Sequence, residues 1–236
     1  MYRQLNYNPI PTQKLDVAVI VEPREHKYLV RVVMNILNNT SNYVKIQIFH
    51  GTMNENFIMT SELAKYVVNG KIILTNLGVP NLTIKDYNNL LVSTNFWNSI
   101  DGENILIFQT DSCICSKSRH TIDEYLQYDY VGAPWEKNSK DKHKYGGNGG
   151  FSFRKKSAML SVINKFPYNK EHEDVYFSRK DIKYPPYKVA KTFAVEHVFY
   201  DAPFGIHKAY KYQSKNKLNN MLEYCPELQT IFDIKN

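Results

Sequence analysis

Apolar runs alternate with helical patterns through the first half of the chain. Residues 16–21 and 105–108 form almost continuous apolar runs, and each passes directly into polar residues. Residues 44–49 and 71–74 show two further strand patterns, and apolar residues recur at helical spacing between the strands. Strands that are apolar on both faces and alternate with helices are typical of a parallel sheet. We therefore predict an α/β fold with a central, mostly parallel sheet flanked by helices.

Local signals predict two of the connecting helices. Residues 56–67 carry a short helical pattern between the second and third strands. Thr83 and Asp86 have the types and spacing of a capping box, in which each residue caps a backbone amide of the other. We expect this box to begin one helix that reaches about Trp97.

Shorter patterns separated by polar loops make up the second half. Residues 128–135 are typical of a short strand that runs into a turn, and a strand over 151–153 leads into a helix over 155–164. Neither an internal repeat nor a linker divides the chain. We predict a single domain over residues 16–236, preceded by an extension of residues 1–15.

The charged segment 136–145 is a candidate lid. It has no apolar face and leads into Gly146 and Gly147. Because such a segment gains little from packing, its local stability should be low. We expect it to close over a ligand and to order when the ligand binds.

Composition and charge favour a globular protein with an anionic ligand. Of the 236 residues, 43% are hydrophobic and 14% aromatic, which argues against general disorder. The net charge of +7 suits a nucleotide phosphate or a nucleic acid. The basic residues are scattered apart from residues 137–144, so nucleic-acid binding is the weaker alternative.

The cysteines and the first residues predict an intracellular, cytoplasmic protein. Cys113, Cys115 and Cys225 are an odd number without a regular framework, which predicts reduced thiols. For Cys113 and Cys115, packing as small apolar residues is favoured over a shared metal. Residues 1–14 lack the apolar core of a signal peptide, and no run is long enough to span a membrane.

Asp111 is the first candidate for chemistry. It follows the apolar run that ends at Phe108. Ligands of open α/β sheets bind beyond the carboxyl ends of such strands, where the sheet fixes the backbone. A turn or helix-capping aspartate is the alternative interpretation.

Five short segments, in a fixed order along the chain, carry a resemblance to a known family. They are residues 108–112, 131–135, 147–152, 173–175 and 205–208. Their order and spacing resemble those of the nucleotide-sugar glycosyltransferases of the GT-A fold. The resemblance covers roughly residues 16–210 and is greatest to a small glycosyltransferase-like family of formerly unknown function, with a galactosyltransferase-like order of motifs. It implies a nucleotide-binding half (16–112), an acceptor half (113–210) and a C-terminal tail (211–236).

The resemblance implies a donor site with a divalent cation. Gln109, Thr110 and Asp111 stand where GT-A enzymes carry Asp-x-Asp, whose first residue holds the ribose and whose second binds the metal. Gln109 can still hydrogen-bond a ribose but brings no charge, so the motif supplies one carboxylate. His207 is the implied second ligand, for Mn²⁺ or Mg²⁺, although an ordinary loop histidine also fits.

Further residues at the donor side are implied by the same resemblance. Glu22 and Arg24 end the first strand, where GT-A folds seat the nucleotide base, and Arg24 could serve base or phosphate. A surface ion pair between them is an equal alternative. Lys208 could meet phosphate oxygens or simply be solvated.

The acceptor side is implied by a glycine pair followed by two carboxylates. Gly149 and Gly150 would let the backbone approach a sugar. In the similar enzymes the position of Glu173 holds the acceptor and that of Asp174 is the general base; charge at a helix N-terminus is the alternative. Trp135 could stack on a sugar face or belong to the core.

The resemblance, taken with the residues above, implies a hexosyltransferase-type glycosyltransferase of glycan biosynthesis. It would move a sugar from a nucleotide diphosphate donor, expected to carry uridine, to a hydroxyl of a glycan, protein or small molecule. The expected mechanism is a single inverting displacement that depends on a metal. A non-catalytic nucleotide- or sugar-binding relative is the first alternative, favoured by Gln109, and a nucleic-acid-binding α/β protein is the second.

Overall fold

The computed structural model describes residues 13–136, 146–179 and 181–232 of the chain. Most of the predicted extension and all of the predicted lid except Glu136 lie outside these residues. The strands are β1 (Val17–Val21), β2 (Lys45–His50), β3 (Ile72–Asn76), β4 (Asn104–Phe108), β5 (Ser112–Ile114), β6 (Tyr130–Ala133), β7 (Asn148–Lys155), β8 (Ala194–Val195) and β9 (Gly205–His207). The helices are α1 (Leu29–Asn39), α2 (Glu55–Met59), α3 (Ala64–Val68), α4 (Ile84–Leu91), α5 (Thr94–Asn98), α6 (Lys156–Lys165), α7 (Glu173–Phe177), α8 (Tyr187–Phe193), α9 (Ala209–Tyr212), α10 (Lys215–Met221) and α11 (Glu227–Thr230).

A six-stranded sheet in the order β3-β2-β1-β4-β7-β6 forms the centre of the fold. The first four strands in this order are parallel, β7 pairs antiparallel with β4, and β6 pairs antiparallel with β7. This arrangement confirms the predicted α/β class with a mostly parallel central sheet. Because β1 and β4 are adjacent and parallel, their carboxyl ends open on the same edge, where a ligand would bind.

The apolar residues of the central strands pack on both faces of the sheet. In β1, Ala18 and Ile20 belong to one hydrophobic core, and Val17 and Val19 belong to the other. Side chains alternate along a strand, so a strand covered on both sides must be apolar at every position. This requirement explains the continuous apolar runs in the sequence.

A small second sheet brings distant parts of the chain beside the end of β4. Its order is β5-β9-β8, with β9 antiparallel to β5 and parallel to β8. In this register Ser112 pairs with His207. The pairing places His207 next to Asp111, which immediately precedes β5.

The predicted capping box is present, but the helix after it is shorter than expected. The Thr83 hydroxyl accepts from the Asp86 amide at 3.2 Å, and an Asp86 carboxylate oxygen accepts from the Thr83 amide at 3.1 Å. The single helix predicted to reach Trp97 is wrong, because α4 ends at Leu91. Ser93 then caps the start of α5 by accepting from a backbone amide.

A disulfide corrects the prediction of three reduced thiols. Cys115 and Cys225 are bonded, with their Cα atoms 4.3 Å apart, while Cys113 is free and buried. The bond joins the segment after β5 to the turn between α10 and α11, which are far apart in sequence. The spacing of three cysteines gives no sign of such a long-range contact.

Within the described residues, no helix has both the length and the apolar character to cross a bilayer.

Removing this disulfide should lower the stability of the fold. The double substitution Cys115→Ser and Cys225→Ser should reduce the free energy of unfolding by about 2–4 kcal/mol, because the open chain has more unfolded conformations. Urea denaturation with and without a reductant measures the effect. Cys113→Ala is the control, because it leaves the disulfide in place. Its difference in stability from the wild type should be the same with and without reductant. Identical unfolding curves for the wild type in both conditions would contradict the prediction.

Candidate functional site

A pocket of about 580 Å³ opens at the carboxyl edge of the central sheet. Its walls come from the segment after β1, the start of α4, the end of β4, the glycine segment of β7, the start of α7 and the end of β9. The volume is in the usual range for small-ligand sites. The sequence-predicted residues among its lining are Glu22, Arg24, Gln109, Trp135, Gly150, Glu173, Asp174, His207 and Lys208. Thr110, Asp111 and Gly149 lie beside the pocket and are outside its lining.

Asp111 and His207 converge, as the sequence predicts. Asp111 Oδ1 lies 3.3 Å from His207 Nε2. The backbone also joins them, because the amide of Lys208 donates to the Asp111 carbonyl at 2.9 Å. Asp111 Oδ1 and both His207 ring nitrogens are buried and have no hydrogen bond of good geometry to any described residue.

Opposite charges in this pair stabilise each other. Burial alone would raise the pKa of Asp111, but His207 and Lys208 outweigh it and hold that pKa below its ordinary value. Burial alone would lower the pKa of His207, but the carboxylates of Asp111 and Glu196 outweigh it and raise that pKa. Positive charge is therefore favoured at the part of the pocket wall formed by His207 and Lys208.

The donor atoms of this pair fit a divalent cation of the Mn²⁺ or Mg²⁺ type. A carboxylate oxygen and an imidazole nitrogen, both buried and short of hydrogen bonds, are suitable ligands. No group of three or more His, Cys, Asp or Glu residues suited to a metal occurs among the described residues. A site with two protein ligands suits a cation whose other positions are filled by phosphate oxygens and water.

Gly150 leaves the space that the His207 ring occupies. A Cβ at position 150 would overlap three atoms of that imidazole. A Cβ at Gly149 would likewise overlap the carboxylate of Glu173 and the guanidinium of Arg154. From the sequence, the glycine pair was expected to make room for a sugar. In the structure, it makes room for the side chains of the site itself.

Enlarging Gly150 should therefore disturb the predicted metal site. In Gly150→Ala the added methyl group must displace His207, and we expect UDP to bind about tenfold or more weakly with Mn²⁺, the usual effect of misorienting a metal ligand. Isothermal titration calorimetry measures the affinity. Gly70→Ala is the control, since Gly70 has φ of +74° but no neighbour within 4 Å of an added Cβ. Equal Mn²⁺-dependent affinities in wild type and Gly150→Ala would refute this role.

A buried ion pair fixes the start of α7. Both terminal nitrogens of Arg154 donate to the carboxylate of Glu173, Nη2 reaching Oε1 at 3.0 Å. Arg154 also donates to the Gly149 carbonyl at 3.3 Å and lies over the Tyr130 ring. The sequence analysis missed Arg154. The sequence signal that could have found it is the alternation along β7: Arg154 lies two residues after Ser152, on the strand face opposite the buried Phe151 and Phe153.

Asp174 reaches the pocket from the same helix start. One of its oxygens accepts from the Gly149 amide at 3.2 Å and the other from the Val175 amide at 2.8 Å. The residue is half-buried and lies in the pocket lining. These two bonds hold the Asp174 carboxylate at the pocket wall.

Glu22 and Arg24 form an ion pair at the end of β1. Arg24 Nε and Nη2 each donate to Glu22 at 2.8 Å. Glu22 is buried and Arg24 is exposed, and Asn54 donates to both of their carbonyls at 2.9 Å. The ion-pair alternative is thus present in the structure, and both residues still line the pocket.

Gln109 presents its amide near Tyr87. Its backbone amide and carbonyl are both bonded to the Ser112 hydroxyl, at 2.9 and 2.8 Å. The Gln109 side chain hydrogen-bonds the Tyr87 hydroxyl, but burial outweighs this bond and raises the pKa of Tyr87. The turn from 109 to 112 is therefore rigid and aims Gln109 into the pocket.

Glu196 is a second residue that the sequence analysis missed. It is buried, and its Oε1 lies 3.2 Å from His207 Nδ1, on the opposite side of the ring from Asp111. The sequence signal that could have found Glu196 is a carboxylate directly after the apolar residues of β8. Asp111 was found from a similar pattern, an apolar run followed by polar residues.

A family model described as "Protein of unknown function (DUF5672)" matches residues 76–207. The match covers more than half of the chain and includes Asp111, Asp174 and His207. The chain belongs to the DUF5672 family. No curated protein matches it in sequence.

The fold of this DUF5672 protein is similar to those of solved structures. The apo form of the glycosyltransferase GlyE from Streptococcus pneumoniae TIGR4 matches with a TM-score of 0.50 and 12% identity over 86% of this chain and 55% of that chain. S. aureus TarS 1-349 in complex with UDP-GlcNAc matches with a TM-score of 0.47 and 12% identity over 70% of this chain and 52% of that chain. The chain thus spans about half the length of either structure. The likeness to GlyE confirms the predicted GT-A-like fold.

Proposed function

We propose that this DUF5672 protein is a glycosyltransferase that moves a sugar from a nucleotide diphosphate donor to a hydroxyl acceptor. The observation that carries the proposal is the meeting of Asp111 Oδ1 and His207 Nε2 at 3.3 Å, both buried and without a well-directed hydrogen bond. They meet beside a pocket that also contains Lys208 and Asp174. The glycosyltransferase fold of GlyE supports this assignment, and UDP is the expected nucleotide.

Asp111 and His207 are proposed to hold Mn²⁺ or Mg²⁺. Such a cation would stabilise the negative charge that develops on the leaving diphosphate. Gln109, on the rigid turn before Asp111, is assigned to the ribose, and Glu22 with Arg24 to the nucleoside end of the pocket. The hydrogen bond from Arg24 to Glu22 raises the pKa of the Arg24 guanidinium, which is always charged in proteins.

Lys208 is assigned to the phosphates of the donor. Its backbone has a left-handed φ of 51°, which a lysine rarely adopts. Its ammonium lies 3.6 Å from Asp111 Oδ2, and the side chain remains partly exposed at the pocket wall. A diphosphate in the pocket would therefore meet a positive charge already placed beside the cation site.

Asp174 is assigned as the general base. A single displacement requires one group to take the proton of the acceptor hydroxyl as the oxygen attacks the sugar, and the product is then inverted. Because both oxygens of Glu173 are bound by Arg154, we assign Glu173 to positioning Asp174 rather than to direct contact with the acceptor. Trp135 in the lining is the proposed platform for the acceptor sugar.

A nucleotide-sugar-binding protein without transferase activity is the second candidate. The observation that favours it is Gln109, an uncharged residue where the similar enzymes carry a carboxylate. Both a glycosyltransferase and a binding protein would bind the nucleotide sugar, but only the glycosyltransferase would release nucleoside diphosphate from it.

The test is a panel of nucleotide sugars incubated with the protein and Mn²⁺. Thermal shift identifies the donor, because a ligand that binds the native state raises its stability. Release of nucleoside diphosphate then distinguishes the enzyme from the binding protein. If no nucleotide sugar raises the melting temperature with Mn²⁺, both candidates are wrong. A salt-dependent shift with oligonucleotides instead would favour nucleic-acid binding.

A further inference from the structure

A buried carboxylate stands behind the proposed metal ligand. Glu196 follows β8, which runs parallel to β9 with Val195 paired to Ile206. This register places Glu196 beside His207, with Oε1 at 3.2 Å from Nδ1. Only 4% of Glu196 is exposed and 1% of the His207 side chain. The imidazole therefore lies between two carboxylates, Asp111 at Nε2 and Glu196 at Nδ1.

The backbone that carries Glu196 is held by a separate set of contacts. Gln213, at the end of α9, donates its side-chain amide to the Glu196 carbonyl at 2.6 Å and to the His197 carbonyl at 2.9 Å. The His197 ring stacks on Tyr212 with centroids 3.8 Å apart. These contacts fix where the Glu196 carboxylate stands relative to β9.

Carboxylates in this position have a known physical effect on metal-binding histidines. A carboxylate at one ring nitrogen keeps the proton there, so the other nitrogen presents its lone pair to the metal. The partner also fixes the rotation of the ring.

We propose that Glu196 is a positioning residue for the cation site: it keeps the His207 proton on Nδ1 and leaves Nε2, which faces Asp111, free for the metal. The inference rests on the proposed function for the identity of the metal site. A purely structural Glu196 would affect stability in the same way as any buried carboxylate but would not affect cation binding selectively.

The first experiment compares Mn²⁺ affinity of the UDP-bound protein among variants by calorimetry. Glu196→Leu should weaken Mn²⁺ about 10- to 100-fold, the usual effect of removing the outer partner of a ligating histidine. Glu196→Gln should recover most of this loss, because its amide oxygen can still accept from Nδ1. The matched control is Glu227→Leu, since Glu227 is also buried but accepts from the Ser116 amide. Equal losses in Glu196→Leu and Glu227→Leu, or no loss in either, would overturn the proposal.

The second experiment does not depend on the proposed function. Nitrogen-15 NMR of the metal-free protein, at a pH where the His207 ring is neutral, reports which nitrogen carries the proton. We expect Nδ1 in the wild type and Nε2 in Glu196→Leu. A wild-type proton on Nε2 would overturn the role of Glu196. If the wild type binds neither Mn²⁺ nor UDP, the proposed function fails, and this spectrum still decides whether Glu196 sets the tautomer.

Discussion

Asp174→Asn should lower the rate of sugar transfer by about 10²- to 10⁴-fold, the usual contribution of a general base. The amide cannot take the acceptor proton, so the attacking oxygen stays a poor nucleophile. UDP affinity with Mn²⁺ should be nearly unchanged, because Asp174 is assigned to the acceptor side of the pocket. Steady-state rates with the true acceptor, together with UDP titrations, separate the two effects.

Two controls distinguish loss of the base from damage to the site. Asp181→Asn removes a carboxylate that pairs with Lys165 away from the pocket lining, and it should leave the rate unchanged. Glu173→Gln should reduce thermal stability, because it leaves the buried Arg154 without its charged partner. Near-normal turnover in Asp174→Asn would refute the inverting mechanism. Loss of donor binding or of the fold would instead favour a structural role at the start of α7.

Asp111→Asn should abolish the Mn²⁺ dependence of UDP binding and reduce UDP affinity in the presence of Mn²⁺ by about 100-fold or more, since it removes the proposed site's one carboxylate ligand. The fold should persist, because Asp111 forms its ion pairs with His207 and Lys208 and belongs to neither hydrophobic core. Calorimetry of UDP with and without Mn²⁺ measures the effect. Thermal unfolding without ligand is the control for folding. Unchanged Mn²⁺-dependent titration would exclude Asp111 as a ligand.

Much of the fold follows from local patterns in the sequence. The strands β1 and β4 must be apolar on both faces because helices cover both, and this requirement is visible without any long-range information. Asp111 could be located for the same reason, since it lies in the polar segment that follows the end of β4. Even so, the pattern after Thr83 did not reveal that Ser93 starts a new helix.

The rest depends on contacts between residues that are distant in sequence. His207 was proposed from a resemblance, and only the β5-β9 register brings it to Asp111. The local patterns at Arg154 and Glu196 do not by themselves place these residues in the site, because a single charged residue in or after a strand looks the same whether it is buried or solvated. The Cys115–Cys225 bond was missed because the pairing depends on where the C-terminal helices pack.

We propose that Asp111 and His207 hold the cation that binds the donor diphosphate. Anomalous X-ray scattering from crystals of the protein with Mn²⁺ and UDP locates the metal independently of any variant. We expect one strong manganese peak within about 2–2.5 Å of Asp111 Oδ1 or Oδ2 and of His207 Nε2, with diphosphate oxygens completing its coordination. UDP bound in the pocket with no manganese peak at these two residues would contradict it.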